Sequence, residues 1–289
     1  MASGVGIQNK RTPLIRPIFK AIGFEYLAFC YNLRYWNFVF LKIMIESKVV
    51  VLVRTTHSIA KAAAEKFCDQ GFRVVLWEDN KTKVDESIIA SCNLRKGSCV
   101  VESFDFSIQD NFEKAAVHVI KKYGRIDVLV NNPKLAPVSK VPNLSTEAWH
   151  ETIDANLSVF LNSISVIAPF MQQQKIGSII NCCLPLRIHD SLTDRHYDGI
   201  REGVKGITQL WARELGQSGI TVNTIIPGYI EEDNLPLADS AELTQFRLKI
   251  PVRRFAKALD VVNAYSFLIT DDASYITGTE LVIDGGVRI

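Results

Sequence analysis

Short apolar runs alternate with longer amphipathic stretches from residue 49 to the end of the 289-residue chain. Short apolar runs are typical of strands buried in a parallel sheet, and apolar residues three and four apart are typical of helices packed on that sheet. The pattern predicts strands near 49–53, 73–77, 99–103, 127–131, 177–181, 221–226 and 279–283. It predicts helices near 58–70, 82–95, 108–123, 145–173, 197–217 and 258–270. No linker rich in Pro, Gly or Ser interrupts the alternation, so residues 49–289 are predicted to form one α/β domain.

The first strand and helix determine the class of fold. The β-branched run Val49–Val53 turns, through a few polar or small residues, into the alanine-rich stretch that follows Ser58. A dinucleotide-binding βαβ unit begins in this way, which predicts a Rossmann-type doubly wound parallel sheet of about seven strands. The turn contains no glycine, however, and glycine is what lets backbone amides close around a pyrophosphate at a helix N-terminus.

The irregular stretch 228–250 is the longest loop that the pattern predicts. Long loops in compact domains commonly cover a ligand site. We therefore expect this stretch to lie over such a site.

Residues 1–48 differ from the rest and are predicted to be a basic and aromatic N-terminal extension. Residues 1–23 carry four basic side chains and no acidic one, a bias shared with mitochondrial presequences and with ordinary solvated arms. Residues 24–45 are dense in aromatic side chains, but three charged residues interrupt them, which disfavours a membrane span. A helix on a membrane surface or in a partner's groove fits better, and a helix packed on this protein's own sheet is the alternative.

Composition limits the kinds of partner and chemistry. A hydrophobic content of 47% suffices for a large core, and a net charge of +2 gives no reason to expect a nucleic-acid partner. The six cysteines form no Cys-x-x-Cys pair and no zinc spacing with the five histidines, so no metal site is predicted. Reduced, buried thiols and a reducing compartment are expected, and secretion is not.

Several motifs occur in the order and spacing of a known family. The strand Asp127–Asn132 ends in two asparagines, Pro227 and a glycine follow the sixth predicted strand, and residues 275–286 end in Asp-Gly-Gly. With Asp105, Asn156 and Tyr197, these motifs make nearly all of the predicted domain resemble the short-chain dehydrogenases/reductases.

The resemblance implies a catalytic site that is only partly present. In active members a serine, a tyrosine and a lysine carry the proton transfer, and an asparagine supports a water chain. Tyr197 and Asn156 match the tyrosine and the asparagine, whereas Arg201 occupies the lysine position and does not reproduce a compact ammonium. The serine position holds Leu184, which cannot hydrogen-bond a carbonyl group. The catalytic candidates Tyr197, Arg201 and Asn156 are therefore expected to be vestigial.

The cofactor motifs depart further from the family. Where the family has Thr-Gly-x-x-x-Gly-x-Gly, the segment 54–60 has no glycine, so side chains project where a pyrophosphate would approach bare backbone. The family's Asn-Asn-Ala-Gly turn has become Asn-Asn-Pro-Lys, and Pro133 lacks an amide donor. Glu232 replaces the threonine that contacts the cofactor in the family, which would repel phosphate.

Some candidate cofactor-binding positions are retained, although weakly. They are Arg54, Thr55, His57 and Ile59 in the first turn, Glu78 and Asp105 after the second and third strands, and Asn131. Arg54 and His57 could hold a phosphate electrostatically, and Glu78 sits where an acidic residue binds an adenosine ribose. We favour the interpretation that Glu78 and Asp105 are inherited strand-end residues. No cofactor is therefore expected, and the sequence favours NAD(H) over NADP(H) if one binds.

The departures surround one crevice, and together they predict a protein that keeps the scaffold and has lost catalysis. We expect a catalytically degenerate structural or accessory subunit, and by analogy a mitochondrial membrane-associated assembly is its setting. Two alternatives stay open. One is an active NAD-dependent oxidoreductase that uses Tyr197 and Arg201, and the other is a non-catalytic dinucleotide-binding sensor or stabilising subunit.

Protein partners are expected to bind through residues 1–48, at a membrane surface or within an assembly. The resemblance also implies a homo-oligomer that pairs through the helices predicted at 145–173 and 197–217. A mitochondrial location is expected, with the cytoplasm as the alternative.

Overall fold

Seven parallel strands form one sheet in the computed structural model, which describes residues 47–54, 58–82, 85–133, 145–183, 185, 194–234 and 240–288. They are β1 (Val49–Val53), β2 (Arg73–Asp79), β3 (Ser98–Phe104), β4 (Val128–Asn131), β5 (Gly177–Cys182), β6 (Ile220–Pro227) and β7 (Glu280–Ile283). Their order in the sheet is β3-β2-β1-β4-β5-β6-β7. The direction of winding reverses between β1 and β4, which creates a crevice at their carboxyl ends. The predicted Rossmann-type doubly wound sheet is confirmed.

The helices of the described residues cover both faces of the sheet. They are α1 (Ser58–Asp69), α2 (Glu86–Asn93), α3 (Gln109–Tyr123), α4 (Thr146–Ile153), α5 (Val159–Gln174), α6 (Asp194–Gly216), α7 (Glu231–Asn234), α8 (Ser240–Lys249) and α9 (Ala258–Leu268). One hydrophobic layer packs α3, α5 and α6 on the sheet, and the other packs α1, α2 and α9 on the opposite face. All five residues of β1 are fully buried between the two layers, as their continuous apolar run predicts.

Two predicted segments are more finely divided in the structure. The helix expected at 145–173 is α4 followed by a π-helical turn, Asp154–Ser158, and then α5. The loop expected at 228–250 contains the helices α7 and α8, with residues 235–239 outside the described part. Apolar packing explains why this stretch is structured. Ile250 and Phe255 are buried in a small separate cluster, against which Tyr229 and Phe246 pack.

The compact unit that contains the sheet begins at Ser47. The predictions for the N-terminal extension lie outside the described residues, and so do those for partners that bind through it. Among the described residues, the helical run Asp154–Gln174 is long and apolar enough to cross a membrane. Half of its apolar window is buried inside the domain, as expected for a core helix.

Candidate functional site

A small pocket lies at the carboxyl ends of β4 and β5, next to the first turns of α6. It encloses about 10 Å³, roughly the space that one water molecule needs. Its walls are Pro133, Asn156, Phe160, Cys182, Cys183, Ile200, Arg201 and Val204. In open α/β sheets ligands bind outside the carboxyl ends of the strands, so this pocket is the candidate site.

Asn156 reaches the pocket from the π-helical turn Asp154–Ser158. A π turn inserts one extra residue into a helix and is often found at functional sites. The Asn156 side chain is 1% exposed, although the residues on either side of it are partly exposed. The turn therefore directs a polar amide into the domain from a helix whose other buried residues are mainly apolar.

Arg201 and Cys183 face the same pocket from two elements. Arg201 is partly buried on α6, and Cys183, the residue after β5, is 4% exposed. Burial raises the pKa of the Cys183 thiol, while the positive charges of Arg201 and Arg288 oppose the shift only in part. Cys183 is therefore a neutral thiol at neutral pH, next to a cation.

The other predicted catalytic positions are described only in part or not at all. Tyr197 belongs to α6, four residues before Arg201, and its side chain lies outside the described residues. Leu184, Thr55 and His57 lie entirely outside the described residues. Their predicted roles stay predictions.

Arg54 directly follows β1 and carries a buried positive charge. It is 4% exposed, with a φ of 65°, in the left-handed region that favours glycine. Its guanidinium donates a hydrogen bond to the main-chain oxygen of Ala155 and lies 5.5 Å from the centroid of the Phe106 ring. Burial lowers the pKa of Arg54 to about 10, and Asp79 and Glu78 oppose the shift. Arg54 therefore stays charged at neutral pH.

The two asparagines at the carboxyl end of β4, Asn131 and Asn132, form hydrogen bonds inside the domain. Asn132 donates from Nδ2 to the main-chain oxygens of Val53, at 3.1 Å, and Arg54, at 3.0 Å. These bonds join the β4 turn to the end of β1. Asn131 is fully buried and donates to Asn181 Oδ1 at 2.9 Å. Asn131 thus supports the floor of the crevice.

The remaining predicted cofactor positions differ in exposure. Glu78, near the end of β2, and Ile59, on α1, are both buried, at 1% and 2% exposure. Asp105 accepts hydrogen bonds from the Ser107 hydroxyl at 2.6 Å and its amide at 2.9 Å, and these bonds lower the pKa of Asp105. Asp105 therefore organises the turn after β3.

Glu232 and Lys205 are both engaged with other parts of the fold. The Glu232 carboxylate accepts hydrogen bonds at 3.2 and 3.3 Å from the amide of Ala258, the first residue of α9. Lys205 pairs with Glu280 at 2.5 Å, which raises the pKa of its ammonium. Lys205 does not line the pocket, in agreement with its position one turn beyond Arg201.

Sequence reasoning missed a buried polar chain beneath the site. Besides the bond from Asn131, Asn181 donates to Thr208 Oγ1 at 2.9 Å, and Thr224 bonds the same hydroxyl at 2.9 Å. Ser163 donates to Asn131 Oδ1 at 2.7 Å. The signal in the sequence was the amide residue Asn181 inside the buried strand β5, because a buried amide must find partners.

Known proteins match this fold and nearly the whole domain. The family model described as enoyl-(acyl carrier protein) reductase matches residues 53–288. The chain is 32% identical to the 3-oxoacyl-(acyl-carrier-protein) reductase of Thermotoga maritima over 85% of its length and 99% of that protein's. It is 29% identical to the 3alpha-hydroxysteroid dehydrogenase of Mediterraneibacter gnavus over 85% of its length and 98% of that protein's.

Solved structures share the fold. The crystal structure of YwfH, described as an NADPH dependent reductase involved in bacilysin biosynthesis, superposes with a TM-score of 0.73 at 23% identity. The superposition covers 84% of this chain and 99% of that one. At this level of identity the likeness concerns the architecture.

These findings correct two predictions. The prediction of a catalytically degenerate accessory subunit is wrong, because the matching family and the similar proteins are named as reductases and dehydrogenases. The prediction that no cofactor binds is contradicted by the same findings, because reductases and dehydrogenases depend on a cofactor that carries the hydride. Both predictions failed for one physical reason. The substitution of individual glycines and of the lysine removes neither the crevice nor its positive charge.

Proposed function

The chain belongs to the short-chain dehydrogenase/reductase family, and on that premise we propose that it is an active NADPH-dependent oxidoreductase that reduces a carbonyl group. The observation that carries the proposal is the convergence of Asn156, Arg201 and Cys183 on one pocket at the carboxyl edge of the sheet. Three polar side chains from three elements meet there among apolar walls, an arrangement typical of a site that orients a small polar group.

The described residues fit an anionic dinucleotide at the end of β1. Arg54 supplies a buried positive charge from the sequence segment in which the family uses backbone amides of a glycine-rich turn. Arg54 also interacts electrostatically with Glu78 and Asp79, so it offsets the negative charge at the end of β2. This offset supports NADPH, because an uncompensated carboxylate would repel the additional phosphate of that cofactor.

A bound reduced nicotinamide would supply the hydride to the carbonyl carbon, and Tyr197 is the proposed donor of the proton to the carbonyl oxygen. Positions four apart on a helix share a face, so Arg201 is placed one turn from Tyr197. A nearby cation favours the ionised form of a tyrosine and lowers its pKa. We propose this role for Arg201, with the neutral thiol of Cys183 as a weak hydrogen-bond donor in the same pocket.

The pocket has room for a small polar group such as a carbonyl oxygen, so the proposed substrate is a ketone of which only the carbonyl group enters it. Phe160, Ile200 and Val204 are apolar residues of the pocket wall. A 3-oxoacyl thioester has such a ketone, and so does an oxidised steroid, which are the substrate classes in the names of the two relatives.

The test measures NADPH consumption by the full chain with an acetoacetyl thioester or a steroid ketone as the substrate. The wild type is compared with three variants. We expect turnover in the wild type, and Tyr197→Phe should lower kcat about 10²- to 10⁴-fold, the usual share of a general acid. Arg201→Gln should lower kcat and Arg201→Lys should retain it, because the charge next to Tyr197 is lost only in the first.

Lys205→Gln is the matched control on the same helix, because its ammonium pairs with Glu280 outside the pocket. It should leave kcat within a factor of about two. Equal turnover in wild type and Tyr197→Phe would refute the assignment of the proton donor, and no turnover with any ketone would refute the proposed function.

A further inference from the structure

Thr208 is a buried polar residue on the apolar face with which α6 packs on the sheet. It is 1% exposed, and its neighbours one turn before and after it, Val204 and Ala212, are buried and apolar. A hydroxyl group that is removed from water costs free energy unless new hydrogen bonds compensate it. A valine would fill a similar volume without that cost, so apolar packing alone gives no reason for a threonine at this position.

The Thr208 hydroxyl ties α6 to two strands of the sheet. It accepts hydrogen bonds from Nδ2 of Asn181 on β5 at 2.9 Å and from the hydroxyl of Thr224 on β6 at 2.9 Å. Asn181 and Thr224 are both fully buried. Apolar packing is non-directional, whereas a hydrogen bond between buried groups fixes a distance and a direction. These two bonds therefore determine how α6 is placed on the sheet.

Asn131 and Asn181, called the asparagine pair below, also hold the helix that follows Asn156. Oδ1 of Asn181 accepts a hydrogen bond from Nδ2 of Asn131 at 2.9 Å, and Oδ1 of Asn131 accepts one from the Ser163 hydroxyl at 2.7 Å. Ser163 is fully buried on α5, which directly follows the π-helical turn that contains Asn156. One continuous chain of buried side chains thus joins α5 and α6 across β4 and β5.

Two polar residues of the pocket depend on these helices for their positions. Arg201 lies seven residues before Thr208 on α6, about two helical turns away on the same face. Asn156 lies in the π-helical turn that leads into α5. The turn and α6 touch, because a Cβ at Gly203 would lie 3.3 Å from Cδ1 of Leu157. A shift of α6 would therefore change the distance between Arg201 and Asn156.

We propose that Thr208 is a positioning residue, which sets the distance between Arg201 and Asn156 by tying α6 to the asparagine pair. Thr208 is not part of the pocket wall, so it acts on the reaction through the helix. A misplacement of about 1 Å can lower a catalytic rate on the order of 10²-fold. This kinetic consequence rests on the proposed function, whereas the distance itself can be measured without any substrate.

Crystal structures of the full chain test the distance directly. Thr208→Val removes the hydrogen-bond acceptor and keeps the volume of the side chain, whereas Thr208→Ser keeps the acceptor. We expect the distance from Arg201 Cζ to Asn156 Cγ to change by about 1 Å in Thr208→Val and to stay as in the wild type in Thr208→Ser. An unchanged distance in Thr208→Val would overturn the proposal.

Thr221→Val is the matched control on β6. It removes a hydroxyl that bonds to Ser178 at 3.3 Å, and Ser178 in turn bonds to the main-chain oxygen of Leu268 on α9. Because α9 packs on the opposite face of the sheet from α6, this variant should leave the distance from Arg201 to Asn156 unchanged.

NADPH consumption with the proposed ketones tests the kinetic consequence. Thr208→Val should lower kcat about tenfold or more and leave KM within about threefold, because every group that contacts the substrate is still present. Thr208→Ser and Thr221→Val should keep kcat within about twofold of the wild type. Equal losses of kcat in Thr208→Val and Thr208→Ser would overturn the proposal, because only the first removes the acceptor.

The pH profile separates a positioning role from a general loss of stability. A displaced Arg201 lowers the pKa of Tyr197 less, so the fall of kcat at high pH should move to higher pH in Thr208→Val. A variant that is only less stable would keep the profile of the wild type, and this result would contradict the proposal.

Thr224→Val provides a second variant, because it removes one of the two bonds to the Thr208 hydroxyl. If Thr208→Val does not fold, an unchanged distance from Arg201 to Asn156 in Thr224→Val would overturn the proposal, and a changed distance would support it. A wild type without turnover would refute the proposed function alone. The crystal structures would then still decide whether Thr208 sets the distance.

Discussion

Arg54 shows at the scale of a single residue how a position judged from its family motif acquires a different meaning in the structure. The absence of glycine indicated a lost phosphate site, because a side chain would project into it. The structure shows that this side chain is a buried guanidinium, which packs over Phe106 and bonds to Ala155. A cation can bind an anion directly, so Arg54 is our proposed replacement for the lost backbone amides.

A charge-removing variant tests this role of Arg54. Arg54→Met keeps most of the buried volume and removes the charge, so the dissociation constant of NADPH should rise about tenfold or more, the equivalent of one charge-assisted hydrogen bond. Isothermal titration calorimetry measures the constant. The control is Arg73→Met at the opposite end of the sheet, where β2 begins, and it should bind as the wild type does. Equal affinities in Arg54→Met and wild type would show that Arg54 does not contact the cofactor.

Elements were predicted more accurately than the contacts between them. All seven predicted strands are present with bounds within two residues, because an apolar run between polar turns depends only on local sequence. The π turn at Asn156 and the chain from Asn131 through Asn181 to Thr208 could not be predicted in the same way. They depend on which side chains meet across the sheet, and only the tertiary structure determines this.

The buried chain also predicts how firmly α6 is held to the sheet. Asn181→Leu would leave Asn131 and Thr208 with unsatisfied buried groups, so the free energy of unfolding should fall by about 3 kcal/mol. Denaturant unfolding monitored by circular dichroism measures the loss. The matched control is Ser165→Ala on exposed surface, which should change the free energy by less than about 0.5 kcal/mol. A loss below about 1 kcal/mol in Asn181→Leu would mean that water replaces the missing bonds.

At the scale of the whole molecule, the sequence predicted the fold and the family correctly and the function wrongly. The scaffold follows from hydrophobic periodicity over 49–289, whereas the function depends on a few side chains whose surroundings the sequence does not show. The arginine at the lysine position was interpreted as a loss, although Arg201 shares one pocket with Asn156 and Cys183. The partners and the location predicted from residues 1–48 stay predictions.

Hydride transfer is the central claim of this account, and isotope transfer measures it most directly. The full chain is incubated with an oxoacyl or steroid ketone and NADPH that carries deuterium at both positions of nicotinamide C4. The product alcohol is then analysed by mass spectrometry. The account predicts one deuterium at the carbinol carbon of each product molecule, and little product with Tyr197→Phe. An alcohol without deuterium, or no alcohol from any ketone, would contradict it.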